Sequence, residues 1–246
     1  MGLPMLRNLQ AAGFNARGFD VRDVGVGMQR DIFANGLVTL ISVVRDADET
    51  DALLFNDQRM IDVSTLGTII ICSTLSPNYV KDLRSRVPQH IALIDAPMSG
   101  AQVKAQSGDL SFMLGGDTSD HDDLFAAMGA SFHHMGDLGA GMTAKVLNNL
   151  LAASNTAMTR LVLDWADAAG VDEGKLLTLI NASSGQNWLA SGFNDIEFAR
   201  DGFEDDNTIG ILVKDVAAAL DNAPDDADQT LPIAVQAAIR ALKPRK

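Results

Sequence analysis

From Gly141 to Ala169 the chain runs without a proline or an internal glycine, and this stretch constrains the fold more than any other. Val146, Leu150, Ala153, Ala157, Leu161 and Trp165 recur within it at helical spacing. It reads as one long helix, closed by Gly170. The helix separates two textures. Behind it, helices are expected at Glu173–Ala182, Thr208–Asn222 and Leu231–Leu242, and no strand pattern returns. Ahead of it, strand-like and helical segments alternate. The expected division is therefore an α/β domain over residues 1–138 and an all-α domain over residues 139–246.

In the first half, Leu3, Leu6 and Leu9 mark one face of a short helix, and Gly13 is placed to end it. Strands are expected at Asn15–Phe19, Leu37–Val44, Thr68–Ser73, His90–Ile94 and Leu110–Leu114. Helices are expected between several of them, at Asp48–Phe55 and Asn78–Val87. Strands alternating with helices predict a parallel, doubly wound sheet. The longest apolar runs, Leu37–Val44 and Thr68–Cys72, are too short to cross a bilayer and read as buried strands.

Composition narrows the partners. A formal net charge of -13 repels phosphate backbones and lacks the basic face that holds a protein on an anionic membrane. Neither nucleic acid nor membrane is an expected partner. The single cysteine, Cys72, rules out an internal disulfide, as suits a cytoplasmic protein. No signal-peptide core is evident over Met1–Gln10.

Several residues could carry chemistry. Gly2-Leu3-Pro4 opens the first helix, where a dinucleotide-binding fold places a helix N-terminus against a pyrophosphate. Asp20 ends the next expected strand, the place for an acid that accepts ribose hydroxyls. Asp95-Ala96-Pro97-Met98-Ser99-Gly100-Ala101 reads as a tight loop at a strand end, where open sheets bind ligands. Lys145 and Asn149 are four apart, share a helix face and fall close to the Val146 and Leu150 stripe. Lys214-Asp215 stands in an apolar helix, where a surface pair is the default. His133 and His134 are adjacent, so an extended segment points them to opposite faces, and His121-Asp122-Asp123 reads as a solvated helix start. No metal site is expected from either.

Taken together, these motifs resemble the β-hydroxyacid dehydrogenase family, which includes 3-hydroxyisobutyrate dehydrogenase. Asp95–Gly116 is similar to its substrate loop, Gly139–Asn149 to its G-x-G-x-x-x-K-x-x-N-N segment, and Cys72–Pro77 to its S-T-x-x-P cofactor loop. Lys214-Asp215 and Asn181–Gly185 match its late K-D and N-x-S-S-G. The resemblance implies a Rossmann-type domain joined by a long helix to an all-α domain. It implies hydride transfer between NAD, with NADP as the alternative, and a short hydroxyacid or semialdehyde such as 3-hydroxyisobutyrate, tartronate semialdehyde or succinic semialdehyde. Lys145 is then the catalytic residue. Ser99, Gly100, Ala101 and Asn149 bind substrate, and Gly2, Leu3, Pro4, Asp20, Val44, Arg45, Thr74 and Lys214 bind cofactor. A homodimer or homotetramer is implied. Retention of Lys145 speaks against an imine reductase.

The chain departs from the family pattern. The first strand and the first two glycines of the G-x-G-x-x-G fingerprint are missing, and the Asp20-to-Leu37 segment is short. Ala101 and Lys104 replace glycines, Asp109 replaces a threonine, and Val44-Arg45 replaces Leu-Pro. The missing strand is central in the expected order, so its neighbours should lack ladder partners. The reading at this point is a start assigned too late or a truncated gene, with weak cofactor binding. The competing reading is a catalytically impaired or non-enzymatic relative kept as a scaffold.

Overall fold

The computed structural model describes residues 1–22 and 28–245. It divides into two compact units, Met1–Lys145 and Val146–Lys246.

The first unit is a sheet with helices. Helices α1 (Gly2–Ala11) and α2 (Arg30–Ala34) precede strand β1 (Thr39–Ser42). Then follow α3 (Ala47–Leu54), β2 (Thr68–Ile71), α4 (Pro77–Arg86), β3 (Ala92–Asp95), β4 (Met98–Ser99), α5 (Ala101–Ser107), β5 (Leu110–Gly115), α6 (Asp122–Ala126) and β6 (Gly129–Gly136). The strand order among the described residues is β1-β2-β3-β5-β4, with β6 paired to β5. Strand β2 is buried at all four positions, which is why its sequence is an unbroken Thr-Ile-Ile-Ile run. Its alternate side chains feed two cores. Ile69 and Ile71 pack with Leu54, Val80 and Leu83 on one face, and Ile70 packs with Met5, Leu9 and Phe112 on the other.

Two expectations need correction. The sheet is mixed, not wholly parallel. Strands β1, β2 and β3 are parallel, but β5 runs antiparallel to β3 and β4. Helix α5 links β4 to β5, and β5 runs back antiparallel to β4 and β3. Second, Asn15–Phe19 forms no strand. Among the described residues no strand pairs with it, and extended backbone without a ladder partner is not a strand. The segment is fixed otherwise: Arg17 donates to the carbonyls of Ile32 and Asn35, and the Phe19 ring lies 5.5 Å from that of Phe33. The expected shortness of the Asp20-to-Leu37 stretch concerns in part positions 23–27, which lie outside the described residues. Strand β6 gave no sequence signal because only its first residue is buried.

Helix α7 (Ala140–Ala168) begins in the first unit and continues into the second. The second unit adds α8 (Glu173–Asn181), α9 (Trp188–Ser191), α10 (Thr208–Asp221) and α11 (Thr230–Arg240). Ala153 and Ala157 of α7 pack with Ile209, Val213 and Val216 of α10 and Ile239 of α11. Further along α7 the guanidinium of Arg160 is buried and donates to the carbonyls of Ala199, Asp201 and Lys243, at 2.9, 2.8 and 2.5 Å. Beside it Arg245 pairs with Asp164, Asp167 and Glu173. No helix among the described residues is long and apolar enough to cross a membrane.

Candidate active site

The substrate loop grows out of the end of β3. Asp95 ends that strand, and β4 carries Ser99 in register with Ser111 of β5. Gly100 and Ala101 follow with φ of +136° and +53°, both in the left-handed region that favours glycine. Lys145 lies in the second turn of α7. A lone helical lysine is normally solvated, but this one is only 8% exposed, and its Nζ donates to Ser99 Oγ at 3.1 Å. The structure thus brings together two residues 46 positions apart in the chain that the sequence assigned to one site.

Asp95 sits beneath this pair. Its side chain is fully buried, with Oδ1 accepting the Gly139 N–H at 2.7 Å and Oδ2 the Met142 N–H at 2.5 Å. Burial pushes its carboxyl above the ordinary carboxylate range, and the two N–H donors pull it back only in part. The sequence reading quoted Asp95 within the loop motif but gave it no role.

Several residues that the sequence led us to expect on the cofactor side lie near the carboxyl ends of β1 and β2. The side chain nearest to a Cβ built on Gly2 is that of Val43, just past β1. Leu3 is half-buried and Pro4 buried in the first turn of α1. Ser73 Oγ donates to the Val44 carbonyl at 2.6 Å, tying the Val44-Arg45 turn to the loop that carries half-buried Thr74. Arg45 is anchored on Glu49. The Leu75 N–H contacts Met142 Sδ at 3.3 Å, so this loop also touches the start of α7. The fit to a dinucleotide can be judged here. Helix α1 has no acidic residue in its first turn and no side chain capping its N-terminus, which suits a pyrophosphate. The Arg22 guanidinium bonded to Asp20 holds that carboxyl below its usual range, so it is an anion able to accept ribose hydroxyls. The same pair offers a cation to a 2′-phosphate, so Asp20 by itself does not choose between NAD and NADP.

In the helical unit, Asn149 Nδ2 donates to Asp215 Oδ2 at 2.7 Å. Lys214 is exposed while Asp215 is 7% exposed, so Lys214-Asp215 is not the surface pair that the sequence suggested. Helix α10 presents alternate sides to core and solvent, and the acid falls on the core side.

Residues 1–136 match the family described as the NAD binding domain of 6-phosphogluconate dehydrogenase, and residues 139–242 match that described as NAD-binding of NADP-dependent 3-hydroxyisobutyrate dehydrogenase. The NAD-dependent L-serine dehydrogenase of Pseudomonas aeruginosa is 31% identical over 210 residues, covering 79% of this chain and 70% of the relative. The 3-hydroxyisobutyrate dehydrogenase of the same organism is 29% identical over 244 residues, covering 91% and 82%. The chain belongs to the β-hydroxyacid dehydrogenase family. Its fold agrees with a solved 3-hydroxyisobutyrate dehydrogenase of Mycobacterium tuberculosis, with L-serine, at a TM-score of 0.82 and 23% identity over 96% of this chain and 88% of that one.

As a β-hydroxyacid dehydrogenase the chain is an NAD(P)-dependent hydroxyacid oxidoreductase, and the scaffold alternative is not favoured. What sequence reasoning missed is the pair of buried aspartates. Each stands inside a family motif, but a lone Asp at a strand end or beside a Lys carries no sign that it will be buried.

Proposed function

We propose that this dehydrogenase interconverts a short 3-hydroxyacid bearing a primary alcohol and its semialdehyde. The observation that carries this reading is the buried Lys145 Nζ held on Ser99 Oγ. L-serine and 3-hydroxyisobutyrate, named for the two Pseudomonas relatives, share a carboxylate and a primary hydroxyl on the β-carbon, and that common part is the proposed recognition unit. Ser99, with Gly100, Ala101 and Asn149, holds the carboxylate and hydroxyl. In oxidation, Lys145 in its amine form takes the hydroxyl proton as the carbon gives up hydride. In reduction, its ammonium returns the proton to the carbonyl oxygen. Bound nicotinamide supplies the hydride acceptor. Gly2, Leu3 and Pro4 bind the pyrophosphate with the N-terminus of α1, Asp20 takes the ribose hydroxyls, Val44, Arg45 and Thr74 line the nicotinamide side, and Lys214 is a further cofactor-binding residue. NAD is the proposed cofactor, with NADP as the alternative.

The working form is proposed to be a homo-oligomer in the cytoplasm. In support, α7 carries an exposed apolar stripe of Leu147, Leu151, Met158, Leu161 and Trp165, larger than a solvated helix face needs. Cys72, the one thiol, is buried, which pushes its pKa up to about 12 and leaves it inert.

The test is Lys145→Ala, assayed by NADH absorbance with L-serine and with 3-hydroxyisobutyrate. Turnover should fall by roughly 10²–10⁴-fold while NADH still binds. A variant with parental turnover would remove Lys145 from the chemistry, and absence of hydride transfer from either acid to NAD by the parent would refute the substrate class.

A further inference from the structure

The Lys145–Ser99 contact joins a helix to a loop from a different part of the sheet, so something must hold the two together to within an ångström. The two ends meet at a buried junction. Strand β3 ends at Asp95, β5 ends at Gly115, and α7 starts at Ala140. A Cβ on Gly115 would collide with the Asp95 carboxylate, and one on Gly141 with the Met113 carbonyl. Both glycines are therefore needed for the helix start to approach the strand ends this closely. The gap between them is filled by the one carboxylate.

We propose that Asp95 is the positioning residue for Lys145. By accepting the Gly139 and Met142 N–H groups, its carboxylate clamps the first turn of α7 onto the end of β3 and so fixes Lys145 Nζ on Ser99 Oγ. The inference rests on the proposed role of Lys145 and adds to it the group that sets its geometry.

The first four N–H groups of a helix have no partner within it. Asp95 satisfies two of them from outside the helix, and its negative charge complements the positive end of the helix dipole. Both connections from this junction to the reactive pair are short. Lys145 stands three residues beyond Met142 along rigid helix, and Ser99 four residues beyond Asp95 along β4. Met142 is itself buried and its sulfur receives the Leu75 N–H, so the same turn is braced by the cofactor-side loop. The side chain of Lys81, on α4, lies against Gly139 and brings a positive charge near the carboxylate. A tether of this kind controls orientation, and an error of about 1 Å at the reacting atoms costs on the order of 10²-fold in rate.

The test is Asp95→Asn in the full chain. The side chain keeps its shape but turns one acceptor into a donor facing an N–H. Two readouts are taken on protein shown to be folded by its melt. One is the acetylation rate of Lys145 by acetic anhydride, read by mass spectrometry against exposed Lys175. The other is turnover of 3-hydroxyisobutyrate with NAD, together with the KM for NAD. The expected result is several-fold faster acetylation of Lys145 and a roughly 100-fold lower kcat, with the KM for NAD little changed. Where Asp95→Asn does not fold, Gly115→Ala carries the same test, because it keeps the carboxylate and displaces it. Parental acetylation of Lys145 and parental kcat in a folded variant would overturn the proposal, since a purely structural acid would lower the melt and leave both untouched. The acetylation arm needs no substrate. If Lys145→Ala keeps its turnover while Asp95→Asn still releases Lys145 to acetylation, the functional reading fails and the clamp stands.

Discussion

Arg160 offers the sharpest test of how the helical unit is held. Its guanidinium bonds three main-chain carbonyls, and through them α7 is tied to the Ala199–Asp201 turn and to Lys243 near the chain end. Replacing it with methionine keeps most of the packing and removes the donors. The Ala199 carbonyl is the fully buried acceptor, and leaving it unsatisfied costs about 1–3 kcal/mol. The Asp201 and Lys243 carbonyls are only partly buried, so water replaces most of their lost bonds and each adds roughly 0.5–1 kcal/mol. Against this, burial already disfavours the charged guanidinium and holds its pKa below the ordinary arginine value, so removing the charge returns part of the loss. The net expectation for Arg160→Met is a loss of about 2–3 kcal/mol. For a unit of this size each kcal/mol lowers Tm by roughly 4–8 °C. The assay is built into the sequence. Both tryptophans, Trp165 and Trp188, lie in the helical unit, so their fluorescence follows its unfolding. A tryptophan-detected Tm within about 2 °C of the parent would refute the claim that these hydrogen bonds tie the unit together.

Two further outcomes are expected. Burial pushes the Glu173 carboxyl up, but hydrogen bonds and charge from Arg200 and Arg245 outweigh this and leave it below the ordinary range. A carboxylate lowered in the folded state contributes stability above its unfolded pKa, about 4.3, and loses it as pH falls through the folded value. Glu173→Gln should therefore flatten the acid limb of tryptophan-detected stability below about pH 5, and an unchanged limb would contradict it. The apolar stripe on α7 predicts self-association, with Leu151 and Trp165 exposed at 67% and 68%. Leu151→Asp together with Trp165→Ser should lower the mass found by sedimentation equilibrium, and a parent chain already monomeric at micromolar concentration would remove the basis for the oligomer.

Much of this was legible in the sequence, and what was not has identifiable causes. Helix α7 could be read because a long 3.6-residue period bounded by glycine admits no other solution. Lys145 could be singled out because it lies beside the apolar stripe of its helix. The loop at Ala101 departs from the family's glycine, and its φ of +53° shows what that glycine serves: a left-handed turn that alanine occupies only with strain. Asn15–Phe19 has a strand's composition but pairs with no strand among the described residues, so local pattern overstated it. Strand β6 failed in the opposite way, since pairing with β5 forms it despite a mostly exposed, unpatterned sequence. The burial of Asp215 depends on which side of α10 meets the core, and the dipeptide Lys-Asp reads the same in either register.

The geometry around Asp95 also bears on what its substitution should change. The proposed positioning by Asp95 runs through the main chain. Its two oxygens are taken by main-chain N–H groups, which carry no titratable proton, and its hold on the lysine is transmitted through helix geometry. Ser99 Oγ accepts from Nζ at 3.1 Å and marks where the lysine is directed. In the helical unit Asp215 accepts the side-chain amide of Asn149. Positioning through the main chain explains why substitution of Asp95 should act on the rate and on the exposure of Lys145 more than on cofactor affinity.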